Sequence, residues 1–467
     1  MAAENDRPGT RAWSESATRL ADEQELAGFT STVSALPGEH VGLFVQSTLG
    51  SWTATAYRIG WYRGLGGRQI WQSNAQPGLR QPAEVIRAGG EVFAPWKQNL
   101  TVDTTGWPEG SYLIMLRASG KWKAIPLTLR SRSTAGKVVL VQATSTYAAY
   151  NTWGGYSLYK APEGAELPRA NRVSFHRPYD SNGASRYLLY EVAVDQRAER
   201  LGIPLAWTTS YDLEQPDALH AATGVVSLGH DEYWSPAMRQ TVTAARDAGT
   251  NLAFLGANAV YWRIRFEGDG QTVVTYKGSG DPVRNAVETT NLWRAAPHAD
   301  PENSLVGMLY ECYPSQGPFV VGRGDFFLFA ETGLHTGSQI EGLNGTETDR
   351  AYPGGGTPTS LEVVAHSPST CGSTKRTYTD MTYYTTPSGS GVFATGTMRW
   401  TLAVRGPVAK LGIADDAVGF ARTVTDNLLR AMAAGPMGDA HPSRPNLAQI
   451  RPAASTSTGT GGQIGAR

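Results

Sequence analysis

The hydrophobic pattern of the chain changes once, at the short polar segment RSRSTAGK, residues 130–137. Before this segment, short runs such as TATAYRIGWYR and SYLIMLRA alternate apolar and polar side chains between turn residues. This alternation predicts an all-β, immunoglobulin-like sandwich, because every second side chain of a strand lies on the same face of its sheet. After the segment, apolar runs alternate with helix-like stretches, which predicts an α/β domain with a parallel sheet covered by helices on both faces.

The length of the chain also supports two domains. A single hydrophobic core stops growing at roughly 250 to 300 residues, and this chain has 467. We therefore predict a β-sandwich domain at residues 24–132 and an α/β domain at residues 137–435. An N-terminal segment, residues 1–23, precedes them. The predicted tail, residues 436–467, ends in the low-complexity stretch STSTGTGGQIGAR and is expected to be flexible.

The composition argues against two classes of partner. Basic and acidic side chains balance to a formal net charge of zero, whereas a nucleic-acid-binding protein needs a basic face. Apolar runs such as VVLVQA are far shorter than the roughly 20 residues that cross a bilayer. We therefore expect neither a nucleic acid nor a membrane as a partner.

The N-terminus and the cysteines bear on the cellular compartment. No apolar stretch follows the charges of MAAENDRPGTRAW, so a cytoplasmic location is the default expectation, and secretion would require a signal removed beforehand. Cys312 and Cys371 are too few for an all-cysteine metal site. A disulfide between them stays open, and it would favour a compartment outside the cytoplasm.

Polar and aromatic side chains follow several of the apolar runs that we predict to be strands. These stretches are TSTYAAYNTWGGYSLY, GHDEYW, ANAVYW and, further along, TYKGSGDP. In open parallel sheets, ligands bind outside the carboxyl ends of the strands. The sequence therefore predicts a pocket at one rim of the sheet, where these stretches meet.

His230 and Glu232 lie two residues apart directly after an apolar run, so both side chains can point the same way. They are candidates for a proton-transfer group and a metal ligand. The structural alternative is that Glu232 stabilises the start of the helix that begins near Ser235, while His230 is an ordinary turn residue. Asp231 between them is expected to face the other way.

Several phenols join this carboxylate and histidine at the predicted rim. Tyr147, Tyr150 and Tyr159 each have an ordinary explanation as amphipathic residues with buried rings. Considered together with a carboxylate, phenols favour a hard, Lewis-acidic metal ion such as ferric iron. Two phenolates and one carboxylate would neutralise a trivalent ion and leave positions open for substrate and water.

Three strings carry a resemblance to a known family: AYNTWGGYSLY, VSFHRPYD and GHDEYWSPAMRQTVTAARDAGTNLAFLGANAVYWR. They resemble the C-terminal domain of the N,N-dimethylformamidase large subunit, over roughly residues 137–434. YRIGWYRGLGGR is similar to the β-sandwich that precedes this domain in relatives. The resemblance implies a glutamine amidotransferase-like three-layer α/β fold. It also implies a mononuclear ferric iron, held by two tyrosines and a glutamate, that cleaves a dialkylformamide to an amine and formate.

The resemblance assigns roles residue by residue. It implies Glu232 as the glutamate ligand and His230 as the neighbouring histidine. It implies Tyr147 and Tyr159 as the tyrosine ligands, with Tyr150 as the alternative to Tyr147. Three further pocket residues follow from it: Asn258, Lys277 and Glu347. The family also has a small partner subunit, so a partner subunit or a homo-oligomer is expected here.

The functional prediction is an iron-dependent hydrolase of a carbon–nitrogen amide bond in a small-molecule substrate. The loop between the TYAAY and SLY segments is shorter than in dimethylformamidase itself. The resemblance therefore leaves the identity of the substrate open. The alternative is a non-catalytic extracellular protein, in which the sandwich and an aromatic rim including Trp153 and Trp234 bind a ligand. A third option is a metal site that acts on something other than an amide.

Overall fold

The computed structural model describes residues 2–278, 280–285, 287–297 and 299–451. Most of the predicted tail therefore lies outside the described residues. Within the described part of 436–467, two short helices form, at Met437–Ala440 and Leu447–Ile450. No helix among the described residues is long and apolar enough to cross a membrane.

The N-terminal part is built from two β-sheets, with a small hairpin at their side. One sheet has the order β1-β3-β8, and the other has the order β2-β10-β9-β4-β5. The strands are β1 Leu26–Thr30, β2 Ser34–Ala35, β3 His40–Ser47, β4 Thr53–Ile59, β5 Gly67–Gln72, β6 Val85–Arg87, β7 Glu91–Phe93, β8 Leu100–Asp103, β9 Gly110–Ala118 and β10 Lys121–Leu129. Strands β6 and β7 form the hairpin.

Alternate side chains of the two N-terminal sheets share one hydrophobic core. Leu43 and Val45 of β3 pack with Ile114 and Leu116 of β9, and all four are buried. These residues are two apart in sequence, which is the spacing that brings side chains to one face of a strand. The two sheets therefore pack face to face.

The rest of the chain is organised around a nine-stranded sheet with the order β13-β11-β14-β16-β25-β24-β23-β21-β22. Three small sheets or ribbons lie around it. The strands are β11 Val138–Gln142, β12 Arg172–Ser174, β13 Leu205–Thr209, β14 Gly224–Gly229, β15 Tyr233–Trp234, β16 Asn251–Gly256, β17 Trp262–Arg263, β18 Arg265–Glu267, β19 Thr272–Val274, β20 Asn291–Leu292, β21 Leu309–Val320, β22 Gln339–Arg350, β23 Glu362–Cys371, β24 Lys375–Thr385 and β25 Gly391–Ala394.

The predicted fold class, a three-layer parallel α/β domain of the glutamine amidotransferase type, is wrong. Strand makes up 34% of the chain and helix only 21%. The large sheet is mixed, because β21 to β24 pair antiparallel with one another and β24 pairs antiparallel with β25. Residues 309–385 form long hairpins that extend the sheet by four strands. Their glycines, prolines and polar residues interrupt the hydrophobic alternation, so the sequence pattern does not indicate these strands.

The helices pack against the large sheet through two separate hydrophobic cores. The helices are α1 Ala2–Asn5, α2 Thr144–Tyr150, α3 Ser185–Tyr190, α4 Val192–Arg200, α5 Pro236–Asp247, α6 Asn303–Val306, α7 Arg399–Arg405, α8 Asp415–Ala434, α9 Met437–Ala440 and α10 Leu447–Ile450, and the 3-10 turns are Ala17–Arg19, Tyr62–Gly64, Ala88–Gly90, Tyr211–Glu214, Phe327–Phe329 and Ala409–Leu411. Helices α4, α7 and α8 contribute to one core, and α2 and α5 contribute to the other. Helix α5 starts as the sequence indicates, with Ser235 capping the backbone N–H of Met238.

Cys312 and Cys371 form a disulfide. The bridge joins β21 to β23, which are neighbours in the sheet. The sequence alone leaves open whether the two cysteines are bridged. In the structure, the bridge links the hairpins at the edge of the large sheet.

A buried polar contact joins the N-terminal sheets to the rest of the chain. Asp195 of α4 accepts hydrogen bonds from the hydroxyls of Ser111 in β9, at 2.6 Å, and Tyr187 in α3, at 2.8 Å. Burial raises the pKa of Asp195 to about 7, and the Glu199 carboxylate also raises it, while Ser111, Tyr187 and Arg58 act in the opposite direction. The interface therefore contains a carboxyl group that resists ionisation.

The raised pKa of Asp195 predicts how stability depends on pH. The folded protein holds this proton more tightly than the unfolded chain. The contribution of Asp195 to the free energy of unfolding is therefore fully present below about pH 4 and is lost as the pH rises towards 7. We expect the wild-type protein to lose more unfolding free energy between pH 5 and pH 8 than an Asp195→Asn variant, as measured by urea unfolding. Parallel pH profiles for the two proteins would contradict this expectation.

Candidate functional site

Three neighbouring parallel strands end at the same place and deliver polar side chains there. Tyr150 ends α2, which follows β11, while His230 and Glu232 follow β14 and Asn258 follows β16. Glu347 of β22 reaches the same place, as do Lys277 and Tyr159 from loops. The structure therefore places these seven candidate residues close together, and Tyr147 lies apart from Glu232.

The backbone around these residues is held in uncommon conformations. Gly229, at the end of β14, has a φ of +62°, and a Cβ atom there would lie 2.5 Å from the Cβ of Tyr190. Only glycine therefore allows the chain to turn here, just before His230. Asn258 has a φ of +60°, and the β-branched Val260 has one of +56°. A non-glycine residue with a positive φ is strained and persists only where the surrounding structure holds it. Such residues are concentrated at functional sites.

Glu232 and two tyrosine hydroxyls form a compact cluster of oxygen atoms. The Tyr159 hydroxyl donates to Glu232, lying 2.8 Å from Oε1 and 2.9 Å from Oε2. The Tyr150 hydroxyl donates to Glu232 Oε2 at 2.8 Å, and the two hydroxyl oxygens are 3.0 Å apart. Glu232 itself is buried, and its backbone N–H donates to the hydroxyl of Thr146. We call Tyr150, Tyr159 and Glu232 the oxygen triad.

The oxygen triad fits a small, hard metal ion. Adjacent ligands about 2.0 to 2.1 Å from an octahedral ion are about 2.9 Å apart, which matches the oxygen separations of 2.8 to 3.0 Å. Burial and the Glu232 carboxylate raise the pKa of both phenols well above the ordinary value. A bound cation would oppose this shift and replace the phenol protons. Among the described residues, no group of three histidine, cysteine or acidic side chains could hold a metal ion, so the phenols are essential to this fit.

Tyr147 does not approach Glu232. Its ring is buried in the core between the N-terminal sheets and the rest of the chain, with Ile59 of β4 and Met115 of β9. Burial and the nearby Glu191 raise the pKa of its phenol well above the ordinary value. The structure thus separates the two alternatives: Tyr150 lies in the oxygen triad, and Tyr147 lies in the interface core.

His230 lies beside the oxygen triad, between two carboxylates. Its Nε2 is 3.4 Å from Glu232 Oε2 and 3.5 Å from Glu347 Oε2. Burial alone would lower the pKa of His230, but Glu347 and Glu232 outweigh it and raise the pKa. Asn258 Nδ2 donates to Glu347 Oε2 at 2.9 Å and holds that carboxylate in place. The imidazole is therefore in a position to take up a proton.

Lys277 provides a buried amine on the other side of the oxygen triad. Its Nζ is 3.2 Å from the centre of the Tyr159 ring and makes no hydrogen bond to another described residue. Burial lowers the pKa of Lys277 to about 7, although Glu232 acts in the opposite direction. Lys277 therefore contacts the oxygen triad through the ring of Tyr159.

Asp231 points away from the site, as the sequence predicts. Its Oδ2 accepts a hydrogen bond from the Ser227 hydroxyl at 3.0 Å. Burial raises the pKa of Asp231 to about 6. This carboxyl supports the turn after β14 without joining the oxygen triad.

A cavity of about 260 Å³ opens beside the oxygen triad. Its wall includes both Tyr147 and Tyr150 of α2, and Pro126 of β10 contributes from the N-terminal sheets. The remaining lining comes mostly from the segment around α3, including Tyr179, Arg186 and Leu189. The cavity combines apolar wall surface with polar side chains, as small-molecule pockets do.

Two residues at the site were not selected from the sequence. Tyr233 donates its hydroxyl to that of Tyr159 at 2.6 Å, and Arg186 lies over the Tyr150 ring, with its guanidinium carbon 4.0 Å from the ring centre. Tyr233 directly follows Glu232 within the GHDEYW motif, so its position in the sequence could have indicated that it lies at the site. Arg186 belongs to a stretch that looked like an ordinary amphipathic helix, and only the fold brings it to Tyr150.

The two tryptophans named for the aromatic rim in the alternative prediction do not lie at the surface. Trp153 and Trp234 are 3% and 1% exposed, so neither ring is open to a polymer. Trp153 instead packs edge-on against Trp96, and Trp234 packs near Phe254. The two tryptophans stabilise the core.

Comparison with known proteins gives one family. The model of the family described as N,N-dimethylformamidase beta subunit-like, C-terminal, matches residues 53–412. The match includes the oxygen triad, His230 and Glu347, and it begins within the N-terminal sheets, at β4. No curated protein matches the chain.

Proposed function

The chain belongs to the family described as N,N-dimethylformamidase beta subunit-like, C-terminal, and on that premise we propose that it hydrolyses the carbon–nitrogen bond of an amide. We propose further that the reaction depends on a mononuclear ferric iron held by Tyr150, Tyr159 and Glu232. The observation that carries this proposal is the close contact of the three oxygen donors beside a cavity.

Iron bound at the oxygen triad would supply Lewis acidity, which polarises an amide carbonyl and lowers the pKa of a water molecule. The side chains of the site then handle the proton. His230 Nε2 takes the proton of the attacking water as its oxygen adds to the carbonyl carbon, and the imidazolium returns the proton to nitrogen as the carbon–nitrogen bond breaks. Glu347 stabilises the imidazolium, and Asn258 fixes Glu347.

Two further features of the chain support proposals about its cellular compartment and its partners. The disulfide between Cys312 and Cys371 supports work in an oxidising compartment rather than in the cytoplasm. The family description refers to a beta subunit, which supports association with a small partner subunit or with further copies of the chain.

Substituting the two alternative tyrosines tests the proposed ligand set. We expect the purified wild-type protein to contain stoichiometric iron and to show a visible phenolate-to-iron absorption band. Tyr150→Phe removes one oxygen donor, so we expect the band to weaken or shift and iron to be lost on dialysis. Tyr147→Phe removes a hydroxyl that lies near Glu191 rather than near Glu232, so we expect it to keep both the iron and the band.

These variants form a matched pair, because both remove one buried phenol oxygen from the same helix, α2. A wild-type protein that takes up no iron would overturn the proposed cofactor. Loss of the band in Tyr147→Phe with retention in Tyr150→Phe would assign the ligand to the other tyrosine.

A further inference from the structure

The cavity beside the oxygen triad is larger than a dialkylformamide requires. Its volume of about 260 Å³ corresponds to about nine non-hydrogen atoms at roughly 30 Å³ each, the share of a water molecule in the liquid. Leu189 and Pro126 make part of the wall apolar. A substrate that fills this space has several atoms beyond the amide group.

Arg186 contributes a cation to this cavity. Its guanidinium carbon is 4.0 Å from the centre of the Tyr150 ring, and Tyr159 stacks on the same ring with a centroid separation of 4.4 Å. Because Tyr159 already covers one face of the ring, the guanidinium occupies the opposite face. An arginine that lies over an aromatic ring keeps its N–H groups in the plane of the guanidinium, where they can bind a carboxylate through two hydrogen bonds.

Among the described residues, the charge of Arg186 has no close carboxylate partner. No carboxylate of the described residues lies within 4.0 Å of its guanidinium nitrogens, and its polar neighbour is the phenol of Tyr190. Glu347 acts on Arg186 only at longer range, because its carboxylate contacts His230 and Asn258. A half-buried arginine that faces a cavity without a carboxylate partner is suited to an anionic ligand.

The acidic side chain on the cavity wall, Asp180, has hydrogen-bond partners of its own. Asp180 lines the cavity, and its carboxylate accepts hydrogen bonds from the backbone N–H and the hydroxyl of Thr152. Arg177 lies near Asp180, with its guanidinium bound to backbone carbonyl oxygens. A ferric ion held by two phenolates and one carboxylate is neutral, so the charge of Arg186 remains to attract an anion.

We propose that Arg186 binds the carboxylate of the substrate, so that the chain acts on amides that carry a carboxylate a few bonds from the scissile carbonyl, such as small N-acyl amino acids. This inference rests on the proposed function for the cleavage step, but the binding of the anion does not require cleavage. Arg186 thereby selects an anionic amide over a neutral dialkylformamide.

Calorimetric titration with two probes tests the proposal. N-acetylglycine carries the carboxylate, and N-acetylglycinamide is a neutral analogue of the same size. We expect the wild-type protein, loaded with iron, to bind N-acetylglycine at least ~10-fold more tightly than N-acetylglycinamide, since a charge-assisted bidentate pair is among the stronger hydrogen-bonded contacts. Arg186→Gln should abolish this preference, and Arg186→Lys should keep part of it.

Arg200→Gln is the matched control, because Arg200 also lies over an aromatic ring, that of Trp61, but is exposed and does not line the cavity. It should keep the preference. The iron content of Arg186→Gln checks that Tyr150 is undisturbed. Equal binding of the two probes, no binding of N-acetylglycine, or a preference that survives Arg186→Gln would each overturn the proposal. A preference without hydrolysis of either probe would instead refute the proposed function and leave the anion site standing.

Discussion

Glu232→Gln is expected to lower kcat/KM for amide hydrolysis by at least ~10³-fold, because it removes the charged member of the oxygen triad. The carboxylate accepts from both phenols, whereas the amide presents only one acceptor oxygen and an NH2 group that cannot accept. One negative charge is also lost from the ligand set. We expect iron content and the visible band to fall together with activity, which inductively coupled plasma analysis and absorption spectroscopy measure on the same sample.

Asp231→Asn provides the control for this variant. Asp231 is the adjacent residue, equally buried, and it bonds to Ser227 rather than to the oxygen triad. We expect Asp231→Asn to keep its iron. Stoichiometric iron and unchanged hydrolysis in Glu232→Gln would remove Glu232 from the site.

The sequence predicted the location of the site better than its exact members. His230, Glu232 and Asn258 directly follow apolar strands, and neighbouring parallel strands necessarily end together. Tyr147 and Tyr150 lie on one short helix, three residues apart, and no local signal separates them. Their environments differ only because strands from the N-terminal sheets pack on Tyr147, and that contact spans more than thirty residues of sequence.

The fold was predicted less well where local pattern is weakest. The parallel strands β11, β14 and β16 are continuous buried runs, which the sequence reveals directly. The long hairpins from β21 to β24 contain bulges, and one face of β21 and β23 is partly exposed, so their hydrophobic alternation is irregular. They pair antiparallel with one another, and the antiparallel pairing of β24 with β25 joins them to the parallel strands in one mixed sheet.

Residues that join the two parts of the chain carry no sequence signature. Asp195 and Glu199 lie on α4, where charged residues at helical spacing ordinarily indicate a solvated face. The structure buries both against the N-terminal sheets, so this face of the helix is an interface. Such a buried charge affects stability strongly, because removing its partner leaves it without compensation.

The Glu199→Gln variant is expected to lose about 3 to 5 kcal/mol of unfolding free energy. Arg58 of β4 and Glu199 of α4 form an ion pair of 2.5 Å, and the two side chains are 0% and 1% exposed. Burial alone would lower the pKa of Arg58, but Glu199 outweighs it and raises the pKa. Because a guanidinium is not deprotonated in proteins, the arginine stays charged and loses its carboxylate partner when Glu199 is replaced. Gly60 allows this approach, since a Cβ there would lie 2.0 Å from Glu199 Oε2.

Urea unfolding followed by tryptophan fluorescence measures this loss, and Glu163→Gln, at an exposed glutamate, should change the free energy by no more than about 0.5 kcal/mol. The double variant Arg58→Met, Glu199→Leu removes both charges together. We expect it to be more stable than Glu199→Gln, because no unpaired charge remains buried. If Glu199→Gln is as stable as the wild type, or the double variant is no better than the single one, the ion pair does not hold the N-terminal sheets to α4.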